Sequence, residues 1–369
     1  MARHYLDHAS TSPIRPEGRA AVVAWLDEAA GDPSRIHAEG QRARIAIEHA
    51  RQRVAELLGA RSRSVVFTSG ATEAIAAAVW GATERGAHVV VPAVEHSAVR
   101  LSSARHDVTL VGCDRLGRVD PDDVLAALRP DTALVHVQWG NHEVGTRQPV
   151  AEVVAACRQR GVLVHVDAAQ AAGHVAIDFD GLGADLMSVS AHKMGGPPGI
   201  GALLVRRGLR VRPLLVGGDQ ERARRAGFEN GPAIAGWGAV AEQLKTSLAP
   251  EESTNRRLTE RVVALAAAID GVECYGDTAD RLPHIVCLGV AGIEPQAVLL
   301  GLDQHAIAAH SGSACASEDL LPSPVLEAMG VDAHRSLRIS TGWSTTDGDI
   351  DALADALPDI IARLRRLGR

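Results

Sequence analysis

Lysine and aromatic residues are scarce in this sequence. Only two of its 38 basic residues are lysines, Lys193 and Lys245, and aromatic residues make up 3% of the chain. Hydrophobic residues nevertheless reach 46%, so we expect a core built mainly from Ala, Val, Leu and Ile. A chain of 369 residues is long enough for one large domain and a second, smaller one.

The chain also lacks long apolar runs, an excess of positive charge and a cysteine framework. No run reaches the length of a membrane span and the N-terminus has no signal-peptide pattern, so a cytoplasmic protein without membrane contacts is expected. The formal net charge of -7 argues against nucleic acid as the main partner. The five cysteines have no metal-ligand spacing, and their odd number disfavours a disulfide framework.

Short apolar runs alternate with helical patterns in the N-terminal part of the chain, which predicts an α/β fold with a mainly parallel sheet. In such sheets ligands bind beyond the carboxyl ends of the strands. The pattern changes after Pro250, where a new amphipathic helix is predicted to begin. We therefore expect a large domain over 16–249 and a smaller α+β domain formed by 1–15 and 250–369. The predicted strands of the large sheet are 65–68, 88–92, 133–137, 162–166, 186–189 and 201–205.

Lys193 stands at the end of one predicted buried strand, in the segment DLMSVSAHKMGGPPGIG. A lysine, unlike an arginine, can lose its proton and form an imine with an aldehyde. The simplest alternative is a surface loop lysine, but polar clusters at the other strand ends favour a functional site. Lys245 lies in a polar helical stretch, and we expect it to be solvated.

Other polar residues also follow predicted strands. The segment TSGATE, 68–73, places backbone N–H groups and the Thr72 hydroxyl at a helix N-terminus, which suits a phosphate, although a capped helix is the alternative. Asp167 comes just after a buried strand and needs a cationic partner, such as a protonated ring nitrogen, unless it is an ordinary helix cap. Gln170 suits a ring hydroxyl, and His96 can stack on a flat ring or move protons.

Two candidates lie in the C-terminal part of the chain. The segment SGSACAS surrounds Cys315 with small residues, as in an exposed loop, where a thiol becomes reactive if its pKa falls below about 8.5. The other four cysteines lie in apolar contexts and are predicted to be inert. Arg338 suits a substrate carboxylate because the guanidinium fork matches it, and an ordinary salt bridge is the alternative.

Several of these segments together resemble a known enzyme family. SVSAHKMGGPPGIGALLVRR, HVDAAQAAG, FTSGATEA, EHSAV and SGSACAS are similar, in order and spacing, to the pyridoxal-phosphate-dependent cysteine desulfurases of the NifS/IscS type. TSGATE or HVDAAQ alone would mark only the broader aminotransferase class V superfamily. The resemblance implies a fold-type I homodimer with a mainly parallel seven-stranded sheet in its large domain. It also implies that pyridoxal 5'-phosphate is used to take sulfur from L-cysteine and leave L-alanine.

The resemblance also implies a role for each candidate residue. Lys193 would hold the cofactor covalently and shuttle protons, and Asp167 would pair with the pyridinium nitrogen. Cys315 would take the sulfur as a persulfide and pass it to an acceptor protein, in iron–sulfur cluster assembly or thio-modification. The other implied contacts are Gln170 with the ring's phenolic oxygen, His96 stacked on the ring, Ala71, Thr72, Ser190 and His192 at the phosphate, and Arg338 at the substrate carboxylate.

Three residues depart from the family pattern. Asp32, in GDPSR, stands where the family commonly has an Asn near the substrate carboxylate, and two anions there would repel each other. His142 stands where an Asn usually contacts the cofactor, and Phe228 replaces a threonine that contacts the phosphate across the dimer interface. Two alternatives stay open: a relative acting on another amino acid, such as a selenocysteine lyase or a pathway-specific sulfur donor, and a non-catalytic scaffold that binds a sulfur carrier.

Overall fold

The structure is a computed structural model that describes residues 3–28, 31–312 and 322–367. Cys315 and its immediate neighbours lie outside the described residues. In chain order the strands are β1 (His4–Tyr5), β2 (Val65–Thr68), β3 (His88–Pro92), β4 (Asp107–Val111), β5 (Thr132–Gln138), β6 (Leu163–Asp167), β7 (Leu186–Ser190), β8 (Gly201–Val205), β9 (Val272–Tyr275), β10 (Ile285–Val290), β11 (Ile307–Ala308) and β12 (Ser336–Ser340).

A seven-stranded sheet with the order β2-β8-β7-β6-β5-β3-β4 forms the centre of the large domain. Strand β8 runs antiparallel to both of its neighbours, and the other neighbouring pairs are parallel. The predicted mainly parallel α/β sheet is therefore confirmed. Strand β4 was absent from the prediction, because this edge strand is partly exposed and its sequence DVTLV is not a continuous apolar run.

Helices cover the sheet and connect its strands. In chain order they are α1 (Pro16–Glu28), α2 (Ala38–Leu57), α3 (Ala71–Ala82), α4 (Ser97–Ser103), α5 (Pro121–Ala126), α6 (Val150–Gln159), α7 (Phe179–Leu182), α8 (Gln220–Ala223), α9 (Gly231–Ala267), α10 (Pro295–Gln304), α11 (Pro324–Met329) and α12 (Asp347–Leu367). Short 3-10 turns supplement them, and one of these, Ala191–Met194, carries Lys193.

Helix α9 continues through Pro250, so the helix predicted to begin after this proline is instead the second half of a longer one. Proline inside a helix removes one backbone hydrogen bond. Packing of both halves outweighs that loss, because Trp237 and Leu244 lie in the core of the large domain while Leu258 and Val262 lie in a second core. The helix thus crosses the predicted boundary between 249 and 250.

The second core belongs to the part of the fold built on the C-terminal residues. Its antiparallel sheet has the order β12-β10-β9, and β1 pairs in parallel with β11. Leu6 joins Leu258, Leu288 and Leu353 in this core, so the N-terminal strand packs with the C-terminal elements. Arg338, on β12, and the end of β11 are thereby held against the carboxyl edge of the large sheet. Within the described residues, no helix is long and apolar enough to cross a bilayer.

Candidate active site

One cavity of about 540 Å³ lies at the carboxyl edge of the large sheet. Its size suits a small cofactor together with a substrate. The N-terminal loop and two C-terminal elements complete its wall. The lining residues used below are Ala9 and Ser10, Gly70 to Thr72 after β2, His96 after β3, His142 after β5, Asp167 and Gln170 after β6, Ser190, His192 and Lys193 after β7, and His310 and Arg338 from the C-terminal part.

Lys193 extends from the 3-10 turn after β7 toward the N-terminal loop. Its Nζ donates to the carbonyl oxygens of Ala9 at 2.6 Å and Ser10 at 2.8 Å. Burial, and to a smaller extent the positive charge of Arg338, lower the pKa of Lys193 to about 8. About a tenth of the amine is therefore neutral at pH 7, far more than for an ordinary lysine, and nucleophilic attack on an aldehyde requires this neutral form.

Asp167 ends β6 and lies almost completely buried at the cavity. Its Oδ1 accepts hydrogen bonds from the Ser188 hydroxyl at 3.0 Å and from the Ala169 N–H at 3.0 Å. Within the described residues its Oδ2 has no hydrogen-bond donor and is left for a ligand. A buried carboxylate with one oxygen unused suits a protonated ring nitrogen.

Gln170 is oriented by two partners. Its Nε2 donates to the Ala9 carbonyl at 2.9 Å, and its Oε1 lies 3.4 Å from Nε2 of the buried His284. Because the carbonyl accepts only, the amide nitrogen must face Ala9, and His284 must donate to the amide oxygen. His284 stacks on His174 with ring centroids 3.6 Å apart, and His174 in turn donates to the Lys193 carbonyl at 3.1 Å.

His96 and His142 meet edge to face, with ring centroids 4.9 Å apart. Nδ1 of His96 accepts the Ala98 N–H, so the neutral ring carries its proton on Nε2. Burial and then the neighbouring His142 lower the pKa of His96 to about 4, which keeps the ring neutral at physiological pH. The neighbouring Asn141 does not take the place of His142 in the cavity wall. The Asn141 side chain instead accepts the Glu143 and Val144 N–H groups.

The start of α3 supplies a site for an anionic group. Ala71 and Thr72 are the first residues of this helix, whose N–H groups point toward the cavity end of β2. Gly70 precedes them and lies close to Ser190, because a side-chain carbon added to Gly70 would lie 4.0 Å from Ser190 Oγ. The two segments predicted to bind the phosphate, at the start of α3 and at the end of β7, are therefore neighbours. His192 Nδ1 lies 3.1 Å from the Thr11 hydroxyl and has a pKa lowered to about 4 by burial.

Arg338 already has several partners in the described structure. Its guanidinium donates to the His142 carbonyl at 2.8 Å, to Ser10 Oγ at 2.7 Å and to Asp7 Oδ1 at 3.1 Å. Nε is buried without a partner among the described residues. Asp7 was not among the predicted site residues.

Asp32 lies away from this cavity, so within one chain the structure does not bring it to the substrate side of Lys193. Its carboxylate binds the Ser34 N–H and hydroxyl and pairs with Arg35 at 3.1 Å. These contacts lower the pKa of Asp32 and leave it charged. Asp32 and the exposed Phe228 line a separate depression of about 490 Å³.

Four cysteines lie within the described residues, and none forms a disulfide: Cys113, Cys157, Cys274 and Cys287. Burial raises the pKa of each, to about 11 for Cys113 and Cys157, so these thiols stay protonated and unreactive. The thiol predicted to be reactive, Cys315, lies outside the described residues.

The arrangement fits a phosphorylated pyridine aldehyde. It combines an amine of lowered pKa at Lys193, a carboxylate oxygen that has no donor among the described residues at Asp167, and a flat neutral ring at His96. The N-terminus of α3, which suits a phosphate, lines the same cavity. His174, His284 and His310 were not predicted, because only packing brings them together. His310 alone had a sequence signal, since it directly precedes SGSACAS.

Comparisons with known proteins define first a class and then a family. Residues 4–353 match the aminotransferase class-V family model. A cysteine desulfurase IscS of Dictyoglomus turgidum is 38% identical over 98% of this chain and 95% of its own length, and a cysteine desulfurase of Trichormus azollae is 40% identical over 100% and 95%. A solved structure of a NifS-like protein superposes with a TM-score of 0.92 at 29% identity, covering 98% of this chain and 100% of the other. The chain therefore belongs to the class-V aminotransferases and, within them, to the cysteine desulfurases.

Proposed function

We propose that this chain binds pyridoxal 5'-phosphate in the strand-end cavity and removes sulfur from L-cysteine, leaving L-alanine. The observation that carries the proposal is the placement of the Lys193 amine and the Asp167 carboxylate at one cavity. A related solved structure, described as SspA in complex with cysteine, superposes with a TM-score of 0.83 at 28% identity, covering 94% of this chain and 100% of the other. That likeness supports cysteine as the substrate here.

The residues that would hold the cofactor are those predicted. Lys193 would bind its aldehyde carbon and Asp167 its ring nitrogen, while Gln170 Nε2 would donate its second proton to the phenolic oxygen. The phosphate would lie at the N-terminus of α3 with Ser190 and His192, and His96 would cover the ring. When bound, the cofactor withdraws electrons from the substrate carbon that carries the amino group.

The chain's own residues then supply proton transfer and substrate orientation. Lys193 Nζ, with a pKa of about 8, can both accept and return a proton at neutral pH. His96 stays neutral and offers its Nε2 proton as a hydrogen bond rather than as charge. Arg338, which lines the cavity, would bind the substrate carboxylate.

Cys315 would accept the sulfur, a role that rests on the SGSAC sequence. Its thiolate attacks the substrate sulfur, an S–S bond forms and the bond between that sulfur and the substrate β-carbon breaks. The electron pair stays with the carbon, which takes up a proton and becomes the methyl group of alanine. The persulfide would then pass its outer sulfur to an acceptor protein, for iron–sulfur cluster assembly or thio-modification.

Turnover of L-cysteine under a reductant tests the proposal, with alanine and sulfide followed together. Equal release of both is expected for the cofactor-loaded protein. Cys315→Ser should end sulfide release and leave cofactor absorbance intact, whereas Cys287→Ser, which changes a buried thiol, should keep the activity. Alanine absent from an intact, coloured protein would contradict the proposed substrate and favour another amino acid.

A homodimer is part of the proposal. Phe228 is 67% exposed and Ile36 88% exposed, and large apolar side chains at such exposure favour burial by a second copy. A second depression beside Phe228, of about 160 Å³, shares Ser69 and Gly199 with the cofactor cavity, so a partner at this face would lie close to the phosphate end. Light scattering should give twice the chain mass, with Phe228→Asp weakening the dimer and Leu300→Asp, on α10, serving as the exposed apolar control.

A further inference from the structure

His310 and Arg338 form a cross-strand pair at the cavity. The Arg338 N–H donates to the His310 carbonyl at 2.7 Å, and the His310 N–H donates to the Arg338 carbonyl at 3.4 Å. Residues that exchange both backbone hydrogen bonds in an antiparallel pair point their side chains to the same face. Both side chains line the cavity that holds Lys193.

The hydrogen bonds of His310 determine which ring atom it offers. Its Nδ1 lies 2.9 Å from the Gly312 N–H, and a backbone N–H can only donate, so Nδ1 accepts and the neutral ring carries its proton on Nε2. Within the described residues Nε2 has no hydrogen-bond partner. Burial and the positive charge of Arg338 lower the pKa of His310, so the ring stays neutral and Nε2–H is a donor rather than a base.

Arg338 alone has few donors left for a ligand. Both N–H groups of one terminal nitrogen bind Asp7 and Ser10, and one N–H of the other binds the His142 carbonyl. The carboxylate of Asp7 also offsets part of the guanidinium charge. A substrate carboxylate has about four acceptor positions. A neighbouring donor that brings no further charge would complete such a site.

We propose that His310 is a second recognition residue for the substrate carboxylate and donates to it from Nε2–H beside Arg338. This inference rests on the proposed function, because it concerns the amino-acid substrate of the same cavity. It adds a residue that follows β11 by two positions to the substrate side of the site. It also assigns a polar contact to Nε2–H of His310, which has no hydrogen-bond partner among the described residues.

The test compares two ligands that differ in the charge of one group. L-Alanine carries the carboxylate, and L-alaninamide carries a neutral amide of nearly the same shape. Each is titrated into the cofactor-loaded protein, and binding is read from the absorbance change and by calorimetry. His310→Ala should weaken L-alanine binding about 10-fold or more, as expected for a lost hydrogen bond to a charged group, and L-alaninamide binding by less than about 3-fold.

Two further variants complete the design. His310→Gln places an amide N–H near the position of Nε2 and should restore L-alanine binding to within about 3-fold of the unchanged protein. His305→Ala changes an exposed histidine of the same segment and should have no effect. Thermal melting and cofactor affinity are measured for each variant, and both should stay close to those of the unchanged protein.

The outcomes separate the inference from the proposed function. L-Alanine binding unchanged in His310→Ala, an equal loss for both ligands, or a loss of cofactor affinity would each overturn the role of His310. If the unchanged protein takes up no cofactor or does not respond to L-alanine, the proposed function fails, and the assignment of His310 fails with it.

Discussion

Lys193 and Gln170 share one acceptor, the carbonyl oxygen of Ala9, with hydrogen bonds of 2.6 Å and 2.9 Å. The residue predicted to hold the cofactor and the residue predicted to contact its ring oxygen are thus both positioned by the N-terminal loop. This loop follows β1, which pairs with β11 of the small domain. The site therefore depends on the packing of the small domain against the large one, as well as on the strand ends.

Covalent cofactor uptake should depend on pH through Lys193. Its pKa of about 8 means that the neutral amine falls about tenfold for each pH unit below 8. The rate of attachment of added pyridoxal phosphate, trapped by borohydride reduction and measured by mass, should rise with pH up to about 8 and then level off. Lys193→Ala should give no covalent product, and Lys245→Ala should behave as the unchanged protein. A rate that is constant between pH 6 and 9 would contradict this assignment.

Asp167→Asn should leave the fold intact and reduce turnover about 100-fold or more, because a neutral amide no longer stabilises a protonated ring nitrogen. Asn has nearly the same shape as Asp and keeps Oδ1 as an acceptor for Ser188 and Ala169. The melting temperature should therefore change little. The absorbance of the bound cofactor, followed against pH, reports the charge of its ring directly. Ser188→Ala is the matched control, which removes one hydrogen bond but keeps the carboxylate. Turnover unaffected by Asp167→Asn would show that another group holds the ring nitrogen.

His284 should affect cofactor binding indirectly, because it holds the Gln170 amide in one orientation. His284→Phe keeps a flat ring against His174 but removes the Nε2 donor, leaving the buried Gln170 oxygen without a partner. We expect the free energy of unfolding to fall by about 1–3 kcal/mol and the cofactor absorbance to shift, since the amide is no longer held in one orientation. His284→Gln, which restores an N–H donor, should recover both. The assignment is wrong if Phe and Gln give the same spectrum and stability.

Buried neutral histidines should make the fold sensitive to acid. Burial lowers the pKa of His8 to about 3 and that of His174 to about 4, against about 6.5 in an unfolded chain. The unfolded chain therefore binds protons that the native one does not as pH falls below 6.5. Each histidine makes its full contribution to the free energy of unfolding above pH 6.5. That contribution falls as the pH drops toward 4, by up to about 1.4 kcal/mol per pH unit for each histidine.

Denaturant unfolding of the unchanged protein and of His174→Gln, at pH 7 and pH 5, measures this effect. The variant should be less stable at pH 7 but should lose less stability between the two pH values. His305→Gln, at an exposed position, should keep the full pH dependence. Parallel pH dependence in all three proteins would exclude a contribution from His174.

Local sequence patterns predicted much of the site because its residues follow strands. Lys193, Asp167, His96 and the 71–72 segment each come within a few residues of a strand end, and parallel strands end at one edge of a sheet. Asp32 was expected at the substrate, but its position depends on the loop before α2, where Ser34 and Arg35 bind the carboxylate. An Asp side chain commonly binds the N–H group two residues further on, so this turn is local, and only the tertiary structure places it away from the cavity.

The amino-acid sequence by itself determined the α/β alternation, the family likeness and the rarity of lysine that directed attention to Lys193, because these features are encoded within short segments. Only the tertiary structure decided that α9 continues through Pro250, that His174 stacks on His284 and that His310 stands beside Arg338. Each of these depends on packing or strand pairing between residues far apart in the chain. The free energy of such contacts is set by the whole fold, and no local propensity contains it.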